Sequence, residues 1–332
     1  MNSFVARLGM SIGACASAWV PASSAQAACA AGGAPIVGEA EMKERQVAAL
    51  ERMMQTVNAG DARGYASLYA EDARIIIHGS HRLEGRAAIE RHEAELLTQF
   101  PGARLAFYSL WQAGDSAAVH YAVDWHGPGD RAMGHEGLLF FNFEPSGLIV
   151  HEHRYLDSLT PMAQLGALGP VSVRALPVLP ASMETHGVTA FVEQENLAAA
   201  RASLAALDAE DEAAFLAILA DDVVLDELIS SQVVTGKSAA KDWFASWTGA
   251  IDGARSKITG GLAGGEFVLI MLELRGTLDG RLGPVSASHR PFTVHRALIF
   301  RVRDGKLAHI QAFMNGKELA ESLGQWPLPA AK

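Results

Sequence analysis

The chain has 332 residues, with 27 Lys and Arg against 37 Asp and Glu for a net charge of −10, and is 49% hydrophobic and 19% charged. That composition supplies apolar material for real cores and excludes a disordered chain, while the length is that of one large domain or two ordinary ones. The negative balance, with no Lys/Arg run to offset it locally, excludes nucleic acid as a partner, and beyond the first few dozen positions no apolar run reaches the roughly 18 residues that span a bilayer.

Residues 1–27 read as an export signal: a start charged at Arg7, an apolar stretch from Leu8 to Val20, then Pro21 and the small-residue site Ala25-Gln26-Ala27. Cleavage after Ala27 predicts a periplasmic or secreted protein that is soluble once processed. Ile12-Gly13-Ala14-Cys15 resembles a lipoprotein box and offers the alternative of a lipid anchor on Cys15. Residues 28–39 form an Ala/Gly-rich tail. Cleavage leaves Cys29 as the sole cysteine, so the fold must rest on hydrophobic cores rather than an internal disulfide.

From residue 40 onward the chain repeats itself. Val47, Leu50, Met54 and Val57 line one helix face before Gly60-Asp61, and a second short helix leads through Tyr65 and Asp72 into the strand Ile75-Ile76-Ile77. Gly85 then opens another helix, strands follow at Ala117–Trp125 and Gly137–Phe143, and a last strand runs from the turn at Gly147 to Asp157. Residues 169–189 are punctuated by Pro170, Pro177 and Pro180 and read as a packed linker. The order then returns over 190–325: a helix with Leu197, Ala200, Leu204 and Leu207 on one face, a strand after Phe215 and Asp222, a helix opened by Gly236, strands at Glu266–Leu274 and Phe292–Val302, and a last strand from Gly305 to Asn315. Residues 326–332 are a tail. The offset between copies drifts from 150 residues at Tyr65/Phe215 to 158 at Gly147/Gly305, the mark of an old duplication with altered loops. Each copy, 40–168 and 190–325, is expected to be an α+β unit with helices covering one face of a curved antiparallel sheet.

Three features carry a resemblance: Tyr69-Ala70-Glu71-Asp72-Ala73 ahead of a strand, the Gly-initiated helix, and a terminal Gly-x-Ile-x-x-x-x-x-Tyr-x-Asp strand followed by Met162-Ala-Gln-Leu-Gly166. The chain resembles the SnoaL-like (polyketide cyclase-like) domains of the nuclear transport factor two-like superfamily, in tandem, the first copy more closely than the second. The resemblance implies a cone of helices and sheet around a pocket. It implies fold more than activity, because that superfamily holds polyketide cyclases, ketosteroid isomerases, dehydratases, epoxide hydrolases and non-enzymatic binders. In such families the outer sheet faces commonly meet between paired domains, which implies an intramolecular pseudo-dimer here and leaves a homo-oligomer open.

Strand alternation divides the last strand of the first copy into Val150, Glu152, Arg154, Leu156 and His151, His153, Tyr155, Asp157. In the second copy the first set corresponds to Ala308, Ile310, Ala312 and Met314, an apolar set that belongs under the helices, so Glu152 and Arg154 are expected to face the first pocket. Relatives use a pocket Asp or Glu for proton transfer, which makes Glu152 the candidate base and Arg154 the candidate holder of an anionic oxygen. An internal ion pair is the alternative. His135, on the strand face of Gly137, Leu139, Phe141 and Phe143, is a further catalytic candidate. His78, Asp124 and Phe141, with Arg296 in the second copy, are candidates for substrate binding. A metal site from His151, His153, His78, His81 and Asp157 lacks diagnostic spacing, so no metal or cofactor is expected. Trp243, Phe244 and Trp247 read as core, and the second copy as a unit with a degenerate pocket. The expected function is binding of a small, mostly apolar or weakly acidic molecule, with cofactor-free isomerase, cyclase or dehydratase chemistry or, alternatively, a non-enzymatic extracytoplasmic carrier or scaffold.

Overall fold

In the computed structural model, residues 38–168, 174–186, 190–230 and 232–328 are described. The expected signal peptide, nearly all of the tail after it, Cys29 and parts of the linker lie outside them.

Duplicated local chemistry produces duplicated elements. Asp61 opens the Ala62–Ala66 helix by accepting a hydrogen bond from the Gly64 amide at 2.8 Å, and Asp211 does the same for Glu212–Ala217 from the Ala214 amide at 2.9 Å. Gly85 and Gly236, at φ +81° and +84°, open the Arg86–Gln99 and Lys237–Ala250 helices. Their amides bond to the carbonyls of Ala73 and Val223 at 2.8 and 2.7 Å, so helix start and strand are joined alike in both copies. A side chain at either position would be strained.

The first sheet takes β1 (Tyr69–Ile77), β2 (Arg82–Glu84), β3 (Arg104–Ala113), β4 (Ser116–Gly127), β5 (Arg131–Phe143), β6 (Ile149–Leu156) and β7 (Glu184–His186) in the order β2-β1-β6-β5-β4-β3-β7. The second takes β8 (Leu219–Glu227), β9 (Gln232–Thr235), β10 (Ile251–Gly264), β11 (Phe267–Leu278), β12 (Pro291–Arg303) and β13 (Lys306–Met314) in the order β10-β11-β12-β13-β8-β9. Both are mixed rather than wholly antiparallel. β1 lies parallel to β6, and β8 to β13, because the meander that follows the Gly-opened helix returns beside the first strand. β7 comes from the segment read as linker and adds to the β3 edge. The long helices Glu39–Asn58 and Ala190–Asp208 bury Leu50, Met53 and Val57, and Ala200, Leu204 and Leu207.

The opposite sheet faces meet. Trp111, Leu138, Phe140 and Tyr155 of the first unit share one buried cluster with Leu269, Met271, Ile299 and Phe313 of the second. Asn315 Nδ2 donates to the carbonyl of His78 at 2.9 Å, and the Gly316 amide donates to Asp157 Oδ1 at 3.1 Å. Linker residue Arg174 makes two 2.8 Å bonds to Asp226 and lies 3.7 Å from Glu136.

An imidazole stack sits on this seam. His78 lies against Tyr155, His295 and His153 with centroids 4.3, 4.5 and 5.3 Å away, and its Nε2 is 3.1 Å from His153 Nδ1. Burial drives both His78 and His153 down, His153 to about 4, and the adjacent His295 and Arg82, with His151 beside His153, push the same way. Burial also opposes the charge on His295, yet Glu318 at 2.6 Å, helped by Glu273, raises it. In the unfolded chain His78 and His153 take up protons near pH 6.5 that the fold refuses, so stability falls as pH drops from about 6.5 towards 4. The slope of His295 lies above that window, where its stabilisation is lost as pH rises through its raised pKa. The thermal midpoint is therefore expected to fall on acidification through this window and to fall less steeply in His153→Gln; equal slopes in both proteins would remove the seam imidazoles as the cause.

Candidate functional site

In the first unit, Glu152 and Arg154 occupy neighbouring inward positions of β6 and meet Tyr65 of the Ala62–Ala66 helix and Tyr69 at the start of β1. Arg154 Nε donates to Glu152 Oε1 at 2.7 Å, and its Nη2 donates to Tyr65 Oη at 2.6 Å and to Glu152 Oε2 at 3.3 Å. Tyr69 donates to Oε2 at 2.5 Å, and the two tyrosine hydroxyls are 2.7 Å apart. Burial pushes both tyrosines up. It works against the Arg154 charge, but Glu152, Tyr65, Tyr69 and Glu93 together hold the guanidinium protonated. Glu152 is 1% exposed and both its oxygens are engaged, so it is a neutralised acceptor with no oxygen reserved for a ligand.

The remaining candidates lie elsewhere. His135 sits between the edges of Tyr121 and Trp125, at 5.8 and 5.9 Å, with Nδ1 3.2 Å from the Glu136 carbonyl and its pKa lowered by burial; no hydrogen bond joins it to Glu152 or Arg154. Phe141 is fully buried core. Asp124, expected at the pocket, instead pairs across the strands with Arg104 at 2.9 and 2.5 Å on the exposed side, because the β3–β4 register sets the two opposite each other. His78, also expected in the pocket, turns to the seam, since it follows the end of β1 where the second unit abuts.

The second unit, expected to hold a degenerate pocket, contains a cavity of about 300 Å³. Its walls come from the second unit's Lys237–Ala250 helix and the Arg281–Pro284 loop, and from the Leu159–Gln164 helix and Arg174 contributed by the first unit and the linker. Val223, Leu225 and Glu227 share the inward side of β8, which carries Glu227 into the cavity wall at 3% exposure. Arg296, inward on β12 and 4% exposed, donates Nη2 to Glu227 Oε2 at 2.5 Å and lies 4.5 Å from the Trp247 ring centroid. Trp243 stacks on Trp247 at 5.5 Å, and both rings line the cavity, so these residues are core and wall at once. The buried Glu227 Oε1 and Arg296 Nε have no hydrogen-bond partner.

The two acid–guanidinium pairs are not copies of each other. By the strand register, Ile310 and Ala312 stand where the first unit has Glu152 and Arg154, whereas Glu227 and Arg296 stand at the places of Ile77 and Gly137. Burial pushes the Glu227 carboxyl up to about 7; Arg296 opposes this, and Asp226 and Asp157 add to it. A carboxyl that titrates near neutrality in the wall of a cavity can take or give a proton at physiological pH, and the guanidinium beside it can steady developing negative charge. Among the described residues no group of three or more His, Cys, Asp or Glu side chains is placed to hold a metal ion, and no helix is long and apolar enough to cross a membrane.

Fold and sites define a tandem α+β protein with a polar cluster enclosed in each unit. The family model of the SnoaL-like domain matches residues 50–152 and again 200–310, and the chain belongs to that family, with two copies in tandem. Among curated proteins, none matches the chain. Similar solved structures include AclR from Streptomyces galilaeus (18% identity, 41% of this chain and 99% of that one, TM-score 0.36). TsrD from Streptomyces laurentii is similar at 19% identity over 40% of this chain and 96% of that one, with TM-score 0.36. An LEH-like epoxide hydrolase of M. tuberculosis is similar at 20% identity over 40% and 92%, with TM-score 0.35.

Proposed function

We propose that this protein binds a small, mostly apolar molecule in the second-unit cavity and that Glu227 exchanges a proton with it, in isomerase, cyclase or dehydratase chemistry that needs no cofactor. The observation that carries this reading is the unpartnered Glu227 Oε1, buried in the wall of a cavity whose sides include a stacked tryptophan pair. A buried acceptor left without a donor is costly unless a ligand supplies one. Arg296, already bound to Oε2, orients the carboxyl. The saturated Glu152 network serves to stiffen the first unit rather than to act on a substrate.

A thermal-shift screen with polyketide-like, steroid and aromatic compounds, followed by product analysis of each stabilising hit, tests this. Glu227→Gln is expected to keep binding and to lose turnover by about 100-fold or more, the usual scale for a removed general base; a Glu227→Gln protein that turns over at the wild-type rate would overturn the assignment. The export pattern of residues 1–27 favours a second reading, an extracytoplasmic carrier, for which binding is expected without turnover in any variant.

A further inference from the structure

The wall of this cavity carries two arginines, Arg174 and Arg281, with Arg296 behind it, and only Arg281 has no acidic partner. Arg174 is held by Asp226 and Glu136, and Arg296 by Glu227. Among the described residues Arg281 forms no ion pair, and its one hydrogen bond runs from Nε to the Gly283 carbonyl at 3.1 Å, which leaves both terminal nitrogens unused.

The loop that presents it is fastened down. The Asp279 and Gly280 amides both bond to the Ala250 carbonyl, at 2.9 and 3.0 Å, and Leu282 and Val285 exchange two 3.0 Å backbone bonds with their side chains buried. Gly283, at φ +55°, lies so close to the Ile229 backbone that a Cβ would come within 2.2 Å of the Ile229 carbonyl oxygen. Arg281 therefore stands on an anchored rim, with one face of its guanidinium tied back and the other ends open. The same cavity is lined by Trp243 and Trp247, whose rings stack on each other, and by Glu227, whose unpartnered oxygen lies buried in the wall.

Resting on the reading of this cavity as the ligand site, we propose that its ligand is a two-ended molecule: a planar apolar body against the tryptophans, a hydroxyl or other proton-bearing group at Glu227, and a carboxylate or similar anion held at the mouth by Arg281. The arrangement separates the two carboxyl chemistries. The ligand's anion meets the wall guanidinium that has no acidic partner, where a forked charge-assisted contact is available, and stays clear of Glu227, whose acid oxygen it would repel. A cavity of about 300 Å³ is at the small end of ligand sites and takes a body of two fused rings.

Isothermal titration of the full chain with a hydroxynaphthoic acid bearing its two groups at opposite ends, and with the corresponding carboxamide, tests the proposal. Wild-type protein is expected to bind the acid about tenfold more tightly than the amide at low salt, with the advantage shrinking as salt is raised. Arg281→Gln, a change on the exposed rim, is expected to abolish the advantage while leaving amide affinity unchanged, and Arg281→Glu to reverse it. Equal binding of acid and amide by wild type, or an acid preference that survives Arg281→Gln, overturns the anion assignment while leaving the cavity as a ligand site. Binding of neither compound overturns both.

Discussion

Arg154→Met is expected to cost about 3–5 kcal/mol of stability, the usual penalty for stripping a buried carboxylate of its partner. The Glu152 side chain has 0% exposure, and Arg154, 11% exposed, supplies both the opposite charge and two of its three donors. Removing the guanidinium leaves Tyr69 as the only donor to a charge that water cannot reach. Because the penalty arises from the orphaned charge, the double change Glu152→Leu with Arg154→Met is expected to recover most of it, since apolar replacements of a buried pair are often neutral. Urea unfolding of the single and double variants measures both quantities. A single variant within about 1 kcal/mol of wild type would show the pair to be better solvated than its burial implies.

Phe313→Ala is expected to be equally severe, at about 3–5 kcal/mol, and to act between the units rather than within one. Phe313 is 0% exposed, packs in the seam cluster with residues of both sheets and meets the His120 ring edge-on at 5.5 Å. Each unit has its own core under its helices, so the seam is what makes them unfold together. Calorimetry of the wild type is expected to show one transition and that of the variant two. A single transition at an unchanged midpoint would mean that the polar ties through Arg174, Asn315 and Asp157 couple the units without the apolar seam.

Much of the fold was legible because local chemistry was repeated: the helix-opening Gly85 and Gly236 and the alternation of β6 and β13 can be read from spacing alone, whereas the matching caps Asp61 and Asp211 emerge only in the structure. Alternation also set Glu152 and Arg154 on the helix-covered face, where they stand in the structure. The sequence does not reveal that Tyr65 and Tyr69 saturate Glu152, because those hydroxyls arrive from another element. Asp124 and His78 were misplaced for a similar reason, since their partners, Arg104 and His295, are fixed by strand register and by the second unit. Glu227 was the residue sequence reasoning undervalued. The inward parity of Val223, Leu225 and Glu227 on β8 was available, as was that of Arg296 with Val294, Leu298 and Phe300. Adjacent Asp226 and Glu227 look alike in a sequence, however, and only the fold shows one taken by Arg174 at the seam and the other turned into a cavity. The cavity itself was out of reach, because its wall includes the Leu159–Gln164 helix and Arg174 from outside the second copy.

The reading of Glu227 as a proton-exchanging group facing a cavity is tested most directly by carboxyl NMR, following side-chain carbon shifts with pH in wild type and Glu227→Gln. One carboxyl resonance is expected to titrate near pH 7, to be missing from the variant, and to move when a cavity ligand is added. If the Glu227 resonance titrates with the exposed carboxylates near pH 4.5, the carboxyl is fully hydrated or fully neutralised by Arg296, and the proposed site loses its base.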